Sequence, residues 1–171
     1  SGQSSCTDAS AGYYVSYTGA NSQTACSAGT YNPNTASTSS SACTTTDAGY
    51  YAAAGSASQT AASAGYYAAA GAASQTACPA GTYQPSAGQS SCTDASAGYY
   101  VGSTGATSQT ACSAGTYQAS TGQSTCLDAD LGYYVDSTAA TSQTQCPSGY
   151  STSGTGSTSA SDCTATSPGY Y

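Results

Sequence analysis

The chain has 171 residues drawn from twelve amino-acid types, with no Lys, Arg, His, Glu, Met, Trp, Phe or Ile, and its net charge of −7 comes entirely from Asp. An anionic chain without one cation has nothing to set against phosphate, which excludes nucleic acid and an anionic lipid surface as partners. With no His, Lys or Glu to activate a Ser or Thr, the expectation is no enzyme, no catalytic residue and no cofactor.

The aliphatic side chains are few: Val15, Val101, Val135, Leu127 and Leu131. Each contributes roughly 1.5–3 kcal/mol when buried, so no large central core is expected, and a core-poor chain finds its stability in disulfides. Nine cysteines supply them. Their ordered spacing without His points to an oxidising, extracellular setting, secreted or at the cell surface. The nearest cysteines are fourteen apart, too far for the close C-x-x-C spacing of a metal centre, so no metal site is expected. No apolar run approaches the roughly 20 residues of a membrane span.

Along the chain a glycine–aromatic turn recurs at Gly12, Gly29, Gly49, Gly65, Gly81, Gly98, Gly115, Gly132, Gly149 and Gly169, in steps of 17, 20, 16, 16, 17, 17, 17, 17 and 20 residues. Such a period argues for a repeat array and against a disordered Ser/Thr-rich linker. Residues 1–171 are expected to form one continuous array of about ten units of roughly 17 residues. Cysteine units at 26–43, 78–92, 112–126 and 146–163 are interspersed with cysteine-free units at 9–23, 46–59, 62–75, 95–109 and 129–143. Ser1 opens inside SGQSSC and Tyr171 closes just after PGYY, so the expectation is a segment of a longer periodic chain, or a subunit completed by its neighbours.

In the cysteine-free units both cysteine positions are replaced together: Ala9 with Gln23, Thr46 with Gln59, Ala62 with Gln75, Ala95 with Gln109, and Ala129 with Gln143. A disulfide within each unit predicts this, because losing one partner would strand a thiol in an oxidising medium. The expected pairs are Cys26 with Cys43, Cys78 with Cys92, Cys112 with Cys126, and Cys146 with Cys163. Cys6 is left for a partner before Ser1 or on another chain. A competing scheme joins Cys92 to Cys112 and Cys126 to Cys146, and forces Cys43 to reach Cys78 across two whole units. A loop of about 15 residues closed within a unit contributes roughly 3 kcal/mol. Gln59, Gln75, Gln109 and Gln143 stand where a cysteine stands elsewhere, and an amide there is able to bond the backbone across its unit in place of the covalent clasp.

Gly-Tyr-Tyr and Gly-Thr-Tyr read as short strands after a turn, since Tyr, Val and Thr favour extended backbone and Gly permits the turn. Long helices are disfavoured by frequent Gly and turn formers. Neighbouring strand residues face opposite sides. The second aromatic of each turn, Tyr14, Tyr31, Tyr51, Tyr67, Tyr83, Tyr100, Tyr117, Tyr134 and Tyr171, is expected to form the packing seam between units, with the first aromatic facing outward.

The pattern C-x-x-G-T-Y, a polar stretch, then G-x-S-x-C, in Cys78 to Cys92 and again in Cys112 to Cys126, resembles the ephrin-receptor-like cysteine-rich repeat. That repeat is itself similar to the small disulfide modules of tumour-necrosis-factor receptors and epidermal-growth-factor-like (EGF-like) domains. The resemblance implies a small disulfide-rich all-β fold. It implies further an elongated array of hairpin modules, rod or solenoid, in a large extracellular protein.

Asp128 and Asp130 in DADLG read as a solvated turn, since the later Glu of a calcium loop is missing. No Asn sits in N-x-S/T, whereas the many Ser and Thr are candidates for O-linked glycans. The functional expectation is a structural subunit or segment of an extracellular filament, surface appendage or stalk, O-glycosylated and joined end to end with copies of itself. The alternative is a receptor or adhesin ectodomain binding a protein or glycan, with the tandem cysteine-free units around Gly49 and Gly65 as its candidate patch. A third reading is an ice-binding repeat protein, which requires Thr in regular ranks on one face.

Overall fold

The computed structural model describes residues 7–166; Cys6, Tyr171 and the last glycine–aromatic turn lie outside them. The described chain is all-β, apart from two three-residue 3-10 turns, and consists of nine two-stranded antiparallel hairpins in sequence order. It divides into two compact units. The first takes in the chain up to Ala77 together with Ser86–Cys92, and the second takes in Cys78–Pro85 together with the chain from Thr93.

The first unit holds four hairpins: β1 (Tyr13–Tyr14) with β2 (Thr24–Ala25), β3 (Thr30–Tyr31) with β4 (Thr44–Thr45), β5 (Tyr50–Tyr51) with β6 (Thr60–Ala61), and β7 (Tyr66–Tyr67) with β8 (Thr76–Ala77). The second holds the strands of five: β9 (Thr82–Tyr83) with β10 (Thr93–Asp94), β11 (Tyr99–Tyr100) with β12 (Thr110–Ala111), β13 (Thr116–Tyr117) with β14 (Leu127–Asp128), β15 (Tyr133–Tyr134) with β16 (Thr144–Gln145), and β17 (Tyr150–Ser151) with β18 (Thr164–Ala165).

Each hairpin is entered by a tight turn whose third residue is the repeat glycine. In the first, Tyr13 N–H donates to Ser10 C=O at 3.0 Å, and Gly12 takes φ +86°, the left-handed value a type II turn demands. The same glycine then accepts from the residue after the return strand, as Cys26 N–H does to Gly12 C=O at 2.9 Å and Cys112 N–H to Gly98 C=O at 2.9 Å. Strands of two residues are too short to hold a sheet alone. Their stability is found in the stacking of one hairpin on the next.

That stacking is made of backbone. Gly29 N–H donates to Ala52 C=O at 2.8 Å, Asn32 N–H to Ser56 C=O at 3.1 Å, and the loop amide of Gly55 returns to Cys26 C=O at 2.9 Å. The second unit repeats the scheme: Gly98 to Gln118 at 2.7 Å, Val101 to Gln123 at 3.0 Å, and Gly122 back to Ala95 at 2.8 Å. Inside each compact unit a step between hairpins has three such rungs, worth about 1 kcal/mol apiece net of water, except that in the step to β17–β18 the backbone supplies two and a side chain the third.

The two twenty-residue steps have a local cause. Before Cys43 and Cys163 the chain carries a 3-10 turn, Ser40–Ala42 and Ala160–Asp162 respectively. Each is capped by a serine: Ser39 accepts from Ser41 N–H, and Ser159 joins Asp162 in a capping box. The extra residues are absorbed there, so the strands on either side keep their pairing, Tyr31 with Thr44 and Ser151 with Thr164.

Candidate functional site

The feature the fold builds repeatedly is the contact between hairpins, and two ranks of residues are buried in it. One rank is the first-cysteine position of every unit: Ala9, Cys26, Thr46, Ala62, Cys78, Ala95, Cys112, Ala129 and Cys146. The other is the residue just after the second aromatic: Asn32, Ala52, Ala68, Gln84, Val101, Gln118, Val135 and Thr152, with Val15 half-buried at the same place. The second aromatics themselves, Tyr14, Tyr31, Tyr51, Tyr67, Tyr83, Tyr100, Tyr117 and Tyr134, are half-buried, as are most of the first aromatics. Tyr171 is outside the described residues. The first rank holds only Ala, Cys or Thr between hydrogen-bonded backbones, the second admits residues up to Gln, and the rings stay half-buried.

The second rank alternates in chemistry. Cysteine units carry a polar residue there and cysteine-free units an aliphatic one or Ala. Each polar member is satisfied. Asn32 donates through Nδ2 to Tyr13 C=O (3.1 Å) and Ser37 Oγ (2.9 Å), and its Oδ1 accepts from Asn34 N–H (3.1 Å). Gln118 donates to Thr125 C=O (2.9 Å) and accepts from Ser120 N–H (3.1 Å). Thr152 Oγ1 accepts from Gly132 N–H (2.9 Å), standing in for a backbone rung. No buried side-chain nitrogen or oxygen among the described residues lacks a partner. The alternation is readable in the sequence once the column after Tyr-Tyr or Thr-Tyr is aligned, although a ranking of residues by size and hydrophobicity passes over it.

A second glycine rank governs approach at longer range. Gly55, Gly71, Gly88, Gly105, Gly122 and Gly156 all have positive φ, and Ala36 and Ala139 share it at φ 56°. Inside each compact unit such a loop sits over the turn glycine two hairpins back: a Cβ on Gly12 would lie 2.1 Å from Gly55 O, on Gly29 2.2 Å from Gly71 O, and on Gly98 2.2 Å from Ala139 O. These hairpins therefore touch both the next neighbour and the one after.

The mouth of each unit is closed by one of two clasps. Cys26 and Cys43 are bonded with Cα atoms 5.7 Å apart, Cys112 and Cys126 with 5.8 Å, and Cys146 and Cys163 with 5.7 Å. Cys78 and Cys92 are disulfide-bonded as well. In the cysteine-free units a glutamine Oε1 accepts from the backbone amide next to the buried rank: Ser10 to Gln23 (2.8 Å), Asp47 to Gln59 (2.8 Å), Ser63 to Gln75 (2.7 Å), Ser96 to Gln109 (2.7 Å) and Asp130 to Gln143 (2.6 Å). Gln59 and Gln143 add a bond from Nε2 to the carboxylates of Asp47 (2.7 Å) and Asp130 (2.6 Å). Asp130 is thus engaged within the fold, while Asp128 is exposed on β14. These amide clasps lie in exposed positions, so Gln109→Ala is expected to cost only about 1 kcal/mol in chemical denaturation, against roughly 3 kcal/mol for removal of a whole disulfide.

Outside the seam, each return strand opens on an exposed residue: Thr24, Thr44, Thr60, Thr76, Thr93, Thr110, Thr144 and Thr164, with Leu127 in the remaining hairpin. Each of these threonines faces the second-aromatic position across its hairpin, as Thr24 faces Tyr14 and Thr110 faces Tyr100. Open clefts among the described residues include two. One in the first unit, about 540 Å³, is lined by Asp8, Val15 and Tyr17 among others; one in the second, about 380 Å³, by Leu131, Tyr133, Pro147 and Tyr150. The tandem cysteine-free hairpins β5–β6 and β7–β8 keep the common rungs, with Gly49 N–H on Ala68 C=O at 2.8 Å and Gly71 N–H on Thr46 C=O at 3.0 Å. No helix among the described residues is long and apolar enough to cross a membrane.

Short hairpins, each closed by one clasp and stacked through backbone, define a small cysteine-rich repeat module. The sequence pattern of the family described as tyrosine-protein kinase ephrin type A/B receptor-like matches residues 65–112 and 115–163, more than half of the chain. The chain belongs to that family, whose module is extracellular in type and is not a catalytic one. No curated protein matches it.

Proposed function

We propose that the chain is a non-enzymatic structural protein: a subunit or segment of an extracellular filament, surface appendage or stalk, secreted or held at the cell surface. The observation that carries this reading is the recurring step of backbone rungs from one hairpin to the next inside each compact unit. Backbone rungs do not depend on side-chain identity, so a hairpin of another copy meets the same requirements as the next hairpin of the same chain. Contacts of this heterologous kind do not close on themselves and give open polymers. The absence of Lys and Arg removes every trypsin-type cleavage site, which suits a protein exposed outside the cell. The exposed threonines of the return strands are the acceptors we assign to O-linked glycans. Electron microscopy and sedimentation of the secreted chain over rising concentration are expected to show fibres growing in number and length. Monodisperse single chains at every concentration would overturn the reading.

A second reading, a receptor or adhesin ectodomain, is supported by the family match and by the open cleft lined by the exposed Leu131 and Tyr150. It predicts saturable binding of a protein or neutral glycan that is lost on Leu131→Ser, with no fibres formed.

A further inference from the structure

The eight cysteines described are all in disulfides, and the chain has no Met, Trp or His. The phenols are therefore the side chains that remain open to a one-electron oxidant, and there are seventeen of them. They differ sharply in access. Tyr17, in the loop of the first hairpin, is 65% exposed, and Tyr150, on β17, is 50% exposed, whereas Tyr14, Tyr100 and the others of the paired ranks are half-buried. Consecutive strand residues point to opposite faces, so a Tyr-Tyr dipeptide cannot couple to itself. Among the described residues each compact unit thus presents one prominent phenol, and that phenol lines an open cleft.

We propose that Tyr17 and Tyr150 are sites of oxidative cross-linking between copies of this chain. Each phenol gives up one electron and one proton to become a phenoxyl radical. Two radicals from different chains join through the ring carbons ortho to oxygen, and the hydrogens on those carbons move to the oxygens, restoring two phenols linked by a carbon–carbon bond. The two electrons and two protons released reduce one hydrogen peroxide to two waters, with a haem peroxidase as the oxidising partner. The link needs no filament to be present, and it makes any assembly permanent in a way that disulfide reduction does not reverse.

The test uses the full chain carrying Cys6→Ser, so that thiol coupling is absent, with a haem peroxidase and hydrogen peroxide. Dityrosine fluorescence, covalent oligomers on a reducing gel, and peptide mapping are read together. Oligomers linked through Tyr17 and Tyr150 are expected, with their loss in the Tyr17→Phe/Tyr150→Phe double variant and their retention in Tyr100→Phe. Since Phe keeps the ring, the variants keep the fold, and circular dichroism checks it. Undiminished oligomers in the double variant would overturn the proposal, as would dityrosine confined within single chains, for instance between Tyr133 and Tyr150 across their shared cleft. Fibres imaged without oxidant leave this result unaffected, so failure here is separable from failure of the filament reading.

Discussion

Gly98→Ala is expected to destabilise the second unit by roughly 3–4 kcal/mol, counting about 1–2 for an alanine held at left-handed φ and about 1 for each backbone rung that must open. Gly98 has φ +82°, and its missing Cβ would stand 2.2 Å from the carbonyl oxygen of Ala139, a backbone atom that cannot turn away. To admit a methyl group the loop of β15–β16 has to lift off. The rungs from Gln118 N–H to Ala140 C=O and from Ala139 N–H to Cys112 C=O go with it. Hydrogen exchange at these two amides and chemical denaturation measure the effect. The companion variant is Ala139→Gly. Ala139 already occupies left-handed backbone at φ 56°, so glycine relieves that strain at a smaller cost in unfolded-chain entropy, for a net gain of about 0.5 kcal/mol. Equal losses from the two variants would show that the close approach of loop to turn does not control stability.

The second large effect is a gain. Ala95→Cys with Gln109→Cys restores to the β11–β12 hairpin the residues that Cys112 and Cys126 provide in the next unit. A disulfide is expected to form, seen as the loss of two hydrogens in the intact mass. It is expected to stabilise by about 2 kcal/mol, roughly 3 from closing the loop less about 1 for the amide clasp it displaces. Ala95 is fully buried in the rank that Cys26, Cys78 and Cys112 also occupy, so the sulfur enters a place the fold already fills with sulfur elsewhere. Each single cysteine variant, with an unpaired thiol, is expected to be less stable than the starting chain. A double variant that stays reduced under air would contradict the equivalence of the two clasps.

The period, the hairpins and the glutamine clasps are legible in the sequence because each rests on a spacing: a glycine before an aromatic, and a Gln standing where a Cys stands one unit away. The buried ranks are harder to see. Tyrosine, the largest apolar residue present, invites placement at the seam, and Tyr14 through Tyr134 are half-buried. Their half-buried state follows from the short distance between hydrogen-bonded backbones, which admits Ala95 or Cys112 and keeps a ring at the edge. The loop rank of Gly71, Gly88, Gly105 and Gly122 recurs as regularly as the turn rank. It is hidden among many other glycines, and only its contact with a hairpin two steps away gives it meaning. The 3-10 turns before Cys43 and Cys163 are announced by a longer step, but the serine caps that shape them emerge from geometry alone.

The three-rung step also bears on how such a chain changes over generations. Because the backbone rungs ask little of the side chains beyond a small residue in the first-cysteine column, removing or duplicating one whole unit brings together a turn glycine and a loop amide that fit as the old ones did. Insertion of part of a unit is absorbed only at the hairpin tip, where Ser40–Ala42 and Ala160–Asp162 already do so. Copy number is therefore the variable that unequal recombination can alter without new chemistry, and a gene for this protein is expected to differ between individuals by multiples of one unit.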